Sequence, residues 1–280
     1  MAMGGANNAL GVSTTALYLN PANMALASVY HLEALATFSP EARRQSYGGA
    51  VVDSVLNHSH LAGGAAASWS LMDPDGIHRE WTDIRVGLAL PLGDHLALGA
   101  TGRFLRVDQS VASGPLGASF ASDGTPNAPL FNSVTVDLGA TALITHELRL
   151  GLVGHNLTNP GTGLAPTTLA TGLGYMSSSF SIEGGGVVDF TTYNTAKLRG
   201  MLGGEFFLAD RYALRIGYRY DDGMKAHALT GGLGYIDKNW SCELGVSRDI
   251  VADHPATFVT LSLRYFYNAV ALQQDQPDGF

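Results

Sequence analysis

The sequence is short of charge. Only 14% of its 280 residues are Asp, Glu, Lys or Arg, against about 25% in ordinary soluble domains. Lysine is scarcest: Lys197, Lys225 and Lys238 are the only three, so arginine carries most of the positive charge. The net charge of −8 argues against nucleic acid as a partner, because phosphate backbones select basic faces. A single cysteine, Cys242, excludes an intramolecular disulfide and a CxxC-type metal or redox site. Long hydrophobic runs are missing too. Hydrophobic residues make up 46% of the chain, yet no stretch approaches the roughly 18 consecutive apolar residues of a spanning helix. Runs such as Phe206-Phe207-Leu208-Ala209 are short and broken by Gly or a charge. Met1 to Ala9 has neither the basic start nor the apolar run of an export signal, so export would rest on a signal removed from this sequence.

What is present is alternation with period two, which puts one set of side chains on each face of a strand. Ile84, Val86, Leu88 and Leu90 oppose Asp83, Arg85, Gly87 and Ala89. Tyr212, Leu214, Ile216 and Tyr218 oppose Arg215, Gly217 and Arg219, and Val259, Leu261, Leu263 and Tyr265 oppose Thr260, Ser262 and Arg264. Fourteen such segments lie near 28–38, 42–53, 60–71, 79–91, 95–108, 132–144, 147–158, 166–176, 179–190, 196–208, 211–220, 224–236, 239–249 and 256–267. Each is long enough for a tilted spanning strand of roughly 9–11 residues. Tight turns such as Leu92-Gly93-Asp94 and Asp237-Lys238 alternate with mostly longer connections, of which 109–131 is the longest. Aromatics gather near strand ends, at Tyr30, Phe38, Trp69, Trp81, Phe180, Phe190, Tyr212, Tyr220, Trp240, Tyr265 and Tyr267. An even strand count, alternating loop lengths and aromatic girdles are the marks of a barrel in a bacterial outer membrane. The expected fold is all-β: a closed antiparallel transmembrane β-barrel of fourteen strands with an N-terminal plug, its partner the outer-membrane lipid. The expected division is 1–26 plug, 27–267 barrel and 268–280 disordered tail.

One face of the strands then lines a lumen. It carries the acids Glu33, Asp83, Asp137, Glu183, Asp189, Glu205 and Glu243 and the arginines Arg85, Arg103, Arg149, Arg199, Arg215, Arg219 and Arg264. The expected neighbours are Asp83 and Arg85 with Arg103, Asp137 with Arg149, Glu183 and Asp189 with Arg199, Glu205 with Arg215, and Glu243 with Arg264. Opposite charges facing across strands stabilise a sheet by roughly 0.2–1 kcal/mol per pair, so the set reads as a structural lattice. Inward Gly87, Gly99, Gly139, Gly151, Gly217 and Gly245 leave room for a plug or a narrow passage; outward Gly63, Gly184, Gly200 and Gly231 mark bends or close contacts. Catalysis is not expected: hydrolysis needs Ser or Asp with His in reach, and adjacent His155 and Asn156 point to opposite faces of a strand. His31 and Glu33 share a face and belong to the lattice. His58 and His60 alone make a poor metal site, and no cofactor is expected.

The N-terminus opens Met3-Gly4-Gly5-Ala6 and continues to Ala16-Leu17-Tyr18-Leu19-Asn20-Pro21-Ala22, with no charged residue between Met1 and Met24. A free tail is normally more polar, and Leu17, Tyr18 and Leu19 need burial, for which the barrel interior is the nearest cavity. Pro21 fixes its own φ and steers Asn20 away from helix, and Asn20 can turn the chain locally. This segment resembles the N-terminus of the FadL-type long-chain fatty-acid transporters and is similar to that of the PorV-type barrels of the type IX secretion apparatus. Gly151-Leu152-Val153-Gly154-His155-Asn156-Leu157 is a second, shorter likeness. Both groups are fourteen-stranded barrels, and in the transporters the N-terminal segment enters the lumen as a plug. The resemblance thus implies a plug or gate formed by Leu17, Tyr18, Leu19, Asn20, Pro21 and Ala22. The fatty-acid transporters are longer and capture ligand with large outer loops, whereas here only 109–131 is sizeable. Two functions stay open: a conduit for small hydrophobic molecules, and a non-conducting scaffold that docks a partner protein of a secretion or surface machine.

Overall fold

The computed structural model describes residues 2–55, 61–73, 77–110, 129–209 and 211–267. Most of the 109–131 connection, the tail 268–280 and the pair His58 and His60 lie outside the described residues. The wall is built from fourteen antiparallel strands: β1 (Tyr30–Ser39), β2 (Arg44–Asp53), β3 (Ala62–Met72), β4 (His78–Leu92), β5 (Leu96–Ser110), β6 (Phe131–Leu143), β7 (Leu148–His155), β8 (Thr168–Met176), β9 (Phe180–Asp189), β10 (Lys197–Leu208), β11 (Tyr212–Asp221), β12 (Ala226–Ile236), β13 (Trp240–Val251) and β14 (Thr257–Tyr267). Each pairs with its neighbours in sequence, and β1 closes the barrel on β14, from Tyr30 opposite Tyr267 to Phe38 opposite Val259. A closed sheet leaves no unpaired edge and satisfies its backbone internally. The first and last strands therefore begin and finish at the same end.

Alternation sorts the side chains. Val86, Val134, Ile216 and Leu233 project outward, each more than half exposed, while Arg85, Thr135, Asp137 and Thr230 between them are buried. A continuous apolar exterior around an interior that buries polar and charged side chains beside apolar ones departs from the soluble pattern and needs lipid to cover it. No helix of the described residues is long and apolar enough to cross a membrane. Aromatic rings mark the chain-terminal end of the exterior: Tyr30 packs edge-on to Tyr267 at 5.9 Å, and Tyr235 lies between Tyr212 at 5.5 Å and Trp240 at 5.3 Å. At the opposite end Phe38 meets Tyr47, also at 5.9 Å. Trp81 is a correction to the expected girdle. It has the inward parity of Asp83 and Arg85, and it packs inside on Leu105, Val107 and Ala165.

Strand limits fall within three residues of those read from alternation. Connection lengths are less regular than expected. The outer turns 40–43 and 222–225 are as tight as those at the chain-terminal end, using Arg43 at φ 43° and Lys225 at φ 51° to reverse direction. β7 is short because the chain leaves the ladder at Asn156, where φ is +53°.

Two short 3-10 helices, Ser13–Leu17 and Pro21–Leu26, precede the wall. Pro21 opens the second at the position where its missing N–H costs nothing, and the Asn20 side chain caps it by accepting from the Ala22 N–H at 3.2 Å. Leu17 and Met24 are fully buried against Val52, Ala62, Ala66 and Ala89 of the wall.

Candidate functional site

Residues 2–24 run along the inward face of the wall, which is shaped to admit their backbone. Gly99, Gly139, Gly151, Gly203 and Gly217 face inward on β5, β6, β7, β10 and β11. A Cβ on any of them would lie 2.1–2.4 Å from Pro21, Ala22, Asn20, Asn8, Met3 or Gly4. The segment thus touches the wall around most of its circumference. Replacing Gly99 by alanine puts a methyl 2.4 Å from the backbone of both Pro21 and Ala22, which have no flexible end to yield. The expected cost is about 1–3 kcal/mol of stability, with faster amide exchange at Ala22 and Asn23. Gly200→Ala is the control, because its Cβ meets nothing within 4 Å.

Polar contacts fix the segment's register. The Asn20 Nδ2 donates to the Asn8 carbonyl at 2.8 Å and to Thr141 Oγ1 at 2.9 Å, and the Asn23 Nδ2 donates to the same Asn8 carbonyl at 3.1 Å. Thr141 Oγ1 donates in turn to Asn23 Oδ1 at 2.6 Å. Near the start, Thr230 Oγ1 accepts from the Gly4 N–H at 2.8 Å and donates to the Ala2 carbonyl at 2.9 Å. Arg85 stacks on the Tyr18 ring at 4.9 Å and reaches the Leu17 and Tyr18 carbonyls at 3.4 Å each. Leu19 is half-buried and Ala22 fully buried. Buried polar groups that find partners in this way make one arrangement much better than its neighbours.

The charged lumen residues form separate groups. On β4 to β7, Asp83 binds Arg85 at 3.0 Å and Arg103 at 2.7 Å, and Arg103 donates onward to Asn156 Oδ1 at 3.1 Å. Asp137 meets His155 at 3.1 Å, the Asn156 N–H at 2.7 Å and Arg85 at 3.8 Å. A second group crosses the seam of the barrel as an alternating chain: Glu33 to Arg264 at 3.1 Å, Arg264 to Glu243 at 3.5 Å, Glu243 to Arg215 at 2.6 Å, and Arg215 to Glu205. Arg215 reaches across β12 because Gly234 offers no side chain in its path.

Four pairings differ from expectation. Arg149 lies opposite Leu143, far along the ladder from Asp137, and makes no ion pair among the described residues. Arg199 pairs with Asp221 at 2.8 Å instead of Glu183 or Asp189. Asp189 turns to the Thr191 and Thr192 N–H groups, 2.9 Å from each. His155 and Asn156 do converge on one carboxylate, since the left-handed φ at Asn156 ends the alternation that would have separated them. Sequence reading passed over Asp221 and Asp249, which continue the inward parity of Arg219 and Ser247; Arg219 approaches Asp249 at 3.7 Å. Among the described residues no cluster of metal-ligating side chains is found.

The outer turns are tied outside the membrane zone. Glu41, between β1 and β2, accepts from Arg248 at 2.5 Å, the Thr257 hydroxyl at 2.8 Å and the Thr257 N–H at 3.1 Å. Its own backbone amide and the two Thr257 donors hold its carboxyl at about 2, well below the usual 4.5. A depressed carboxyl stabilises the clasp above its ordinary value and loses that contribution as pH falls through about 2. Protection of the Thr257 amide is expected to persist from neutral pH to about 3, and to be weaker and without that low-pH loss in Glu41→Gln, whose neutral amide does not titrate, as hydrogen exchange by NMR will read.

No family model matches this sequence, and no curated protein matches it. Solved structures do match its shape. The CymD monoaromatic hydrocarbon channel superposes with a TM-score of 0.70 at 13% identity, over 95% of this chain and 96% of that one. A Pseudomonas aeruginosa FadL homologue gives 0.66 at 15% identity, over 95% and 98%. The Ralstonia pickettii toluene transporter TbuX gives 0.63 at 14% identity, over 95% and 96%. The fold is that of the FadL-type barrels. At these identities the likeness is one of architecture, and the FadL-type fold by itself fixes no ligand.

Proposed function

We propose that this protein is a conduit for small hydrophobic molecules across a bacterial outer membrane, with its N-terminal segment, 1–26, as the plug and Leu17 to Ala22 as the part that gates the passage. The observation that carries the reading is the fit of an uncharged segment into a lumen whose wall glycines make room for it. The structures of the same fold support the cargo class, because they are described as a monoaromatic hydrocarbon channel and toluene transporters. Most lumen charges close on one another as pairs, Arg149, Glu183 and Asp189 excepted, and leave little net field to select an ion, which favours a neutral cargo.

Deleting residues 1–19 tests the gate. In liposomes the deletion is expected to raise the leakage of small solutes at least severalfold while the barrel remains folded. Unchanged leakage with lowered stability would mean that the segment is a fixed filler, as in a barrel that docks a partner without conducting.

A further inference from the structure

We propose that Glu183 is the latch that holds the gate shut, an inference that rests on the gating role of the N-terminal segment. Glu183 stands on β9 with its side chain wholly buried in the lumen. Its carboxylate accepts the Ala9 N–H at 3.1 Å on one oxygen and the Leu10 N–H at 2.9 Å on the other. Among the described residues no Lys, Arg or His lies within ion-pair distance of it. A buried carboxylate is tolerated only where donors replace its water, and here the donors belong to the segment and not to the wall. Gly203 and Gly174 lie opposite Glu183 on its two neighbouring strands, so neither facing position offers a side chain to take over; the nearest inward cation on that side, Arg149, stands one strand further, opposite Gly174.

This separates Glu183 from the other anchors. Thr230 loses two neutral hydrogen bonds if the segment moves, and Arg85 keeps Asp83. Glu183 loses both of its donors at once and must be hydrated. Its site has two discrete states, segment in place or water in place, and the full burial of the carboxylate under its two donors favours the first. The Asn8 carbonyl, next to this contact, receives both Asn20 and Asn23, so release at Ala9 and Leu10 is transmitted to the Asn20-Pro21-Ala22 turn.

The test is amide exchange and solute leakage of the full chain in liposomes. Glu183→Gln removes the charge and turns one acceptor into a donor facing an N–H. A hydrogen bond to a charged group is worth enough that exchange at Ala9 and Leu10 should rise about ten- to a hundredfold, with leakage rising in parallel and β9 amides unchanged. Gly172→Ala is a second variant that leaves the carboxylate intact: its Cβ would lie 2.4 Å from Glu183 Oε1, against 3.2 Å from the Ala9 N and the Asn8 Cβ, so it crowds the carboxylate first and the segment second. It should reproduce both effects, and it decides the matter if Glu183→Gln does not fold. Exchange at Ala9 and Leu10 unchanged in a folded variant overturns the latch whatever the leakage. Faster exchange without leakage, where deletion of 1–19 does leak, also overturns the latch and leaves the gate standing. If the deletion itself does not leak, the gate reading fails, and the exchange data alone then decide whether Glu183 anchors the segment.

Discussion

Replacing Asp83 with alanine is expected to lower the unfolding free energy of the reconstituted barrel by about 3–5 kcal/mol, the scale for removing one partner from a buried ion pair. Asp83 is one carboxylate serving two guanidinium groups. It takes Arg85 through Nε and a terminal nitrogen at 3.0 and 3.1 Å, and Arg103 likewise at 3.0 and 2.7 Å. All three side chains are at most 16% exposed, so water does little to replace the lost acceptor. Arg103 keeps only Asn156, and Arg85 keeps Asp137 at 3.8 Å and the face of Tyr18. The loss is greater than that of a contact, because two cations are left facing each other across a β4–β5 register pair. Arg85 also holds the Leu17 and Tyr18 carbonyls, so amide exchange in 17–20 should quicken in the same variant. Urea unfolding in bilayers, followed by tryptophan fluorescence, measures the first effect. A loss below about 1 kcal/mol, the range of a solvated pair, would show that the lumen is wet enough to hydrate both arginines.

The fold was legible because lipid makes its demand on one face only. Every second residue from Ile84 to Leu90, or from Val259 to Tyr265, must be apolar, and the strand count and inward set follow from that parity alone. Pairing was not legible, because parity says which face a residue takes and not how far one strand slides along the next. Arg149 and Asp137 share a face, yet the β6–β7 register sets Arg149 opposite Leu143. Glu183 and Arg199 share a face, yet Arg199 finds Asp221 across the other neighbour of β10. Trp81 shows the opposite case: its parity with Asp83 placed it inside, and its position near a strand end drew it into the girdle. The inward glycines announced room. Which residue fills each place depends on the path of the segment around the lumen, and no local pattern encodes that path. Asn20 shows how one side chain serves both scales, capping its own turn while reaching Thr141 on the wall.

Arginine at Leu261 should cost about 2–4 kcal/mol, the figure for a charged side chain at the lipid-facing midplane. Leu261 stands four residues from either end of the apolar stretch between Thr257 and Tyr265 on β14, and it faces outward beside Leu244 on β13 and Ala36 on β1. A guanidinium there has neither a carboxylate partner nor a rim to reach. Leu214→Arg on β11 should cost less, although Leu214 also faces outward. It lies two residues from Tyr212, whose ring belongs to the interfacial girdle, and a long side chain can snorkel that distance to water. The difference between the two variants reads depth as well as register. Equal costs would mean that the membrane is not centred on the middle of β14, and a negligible cost at Leu261 would mean that the outward face is not covered by lipid.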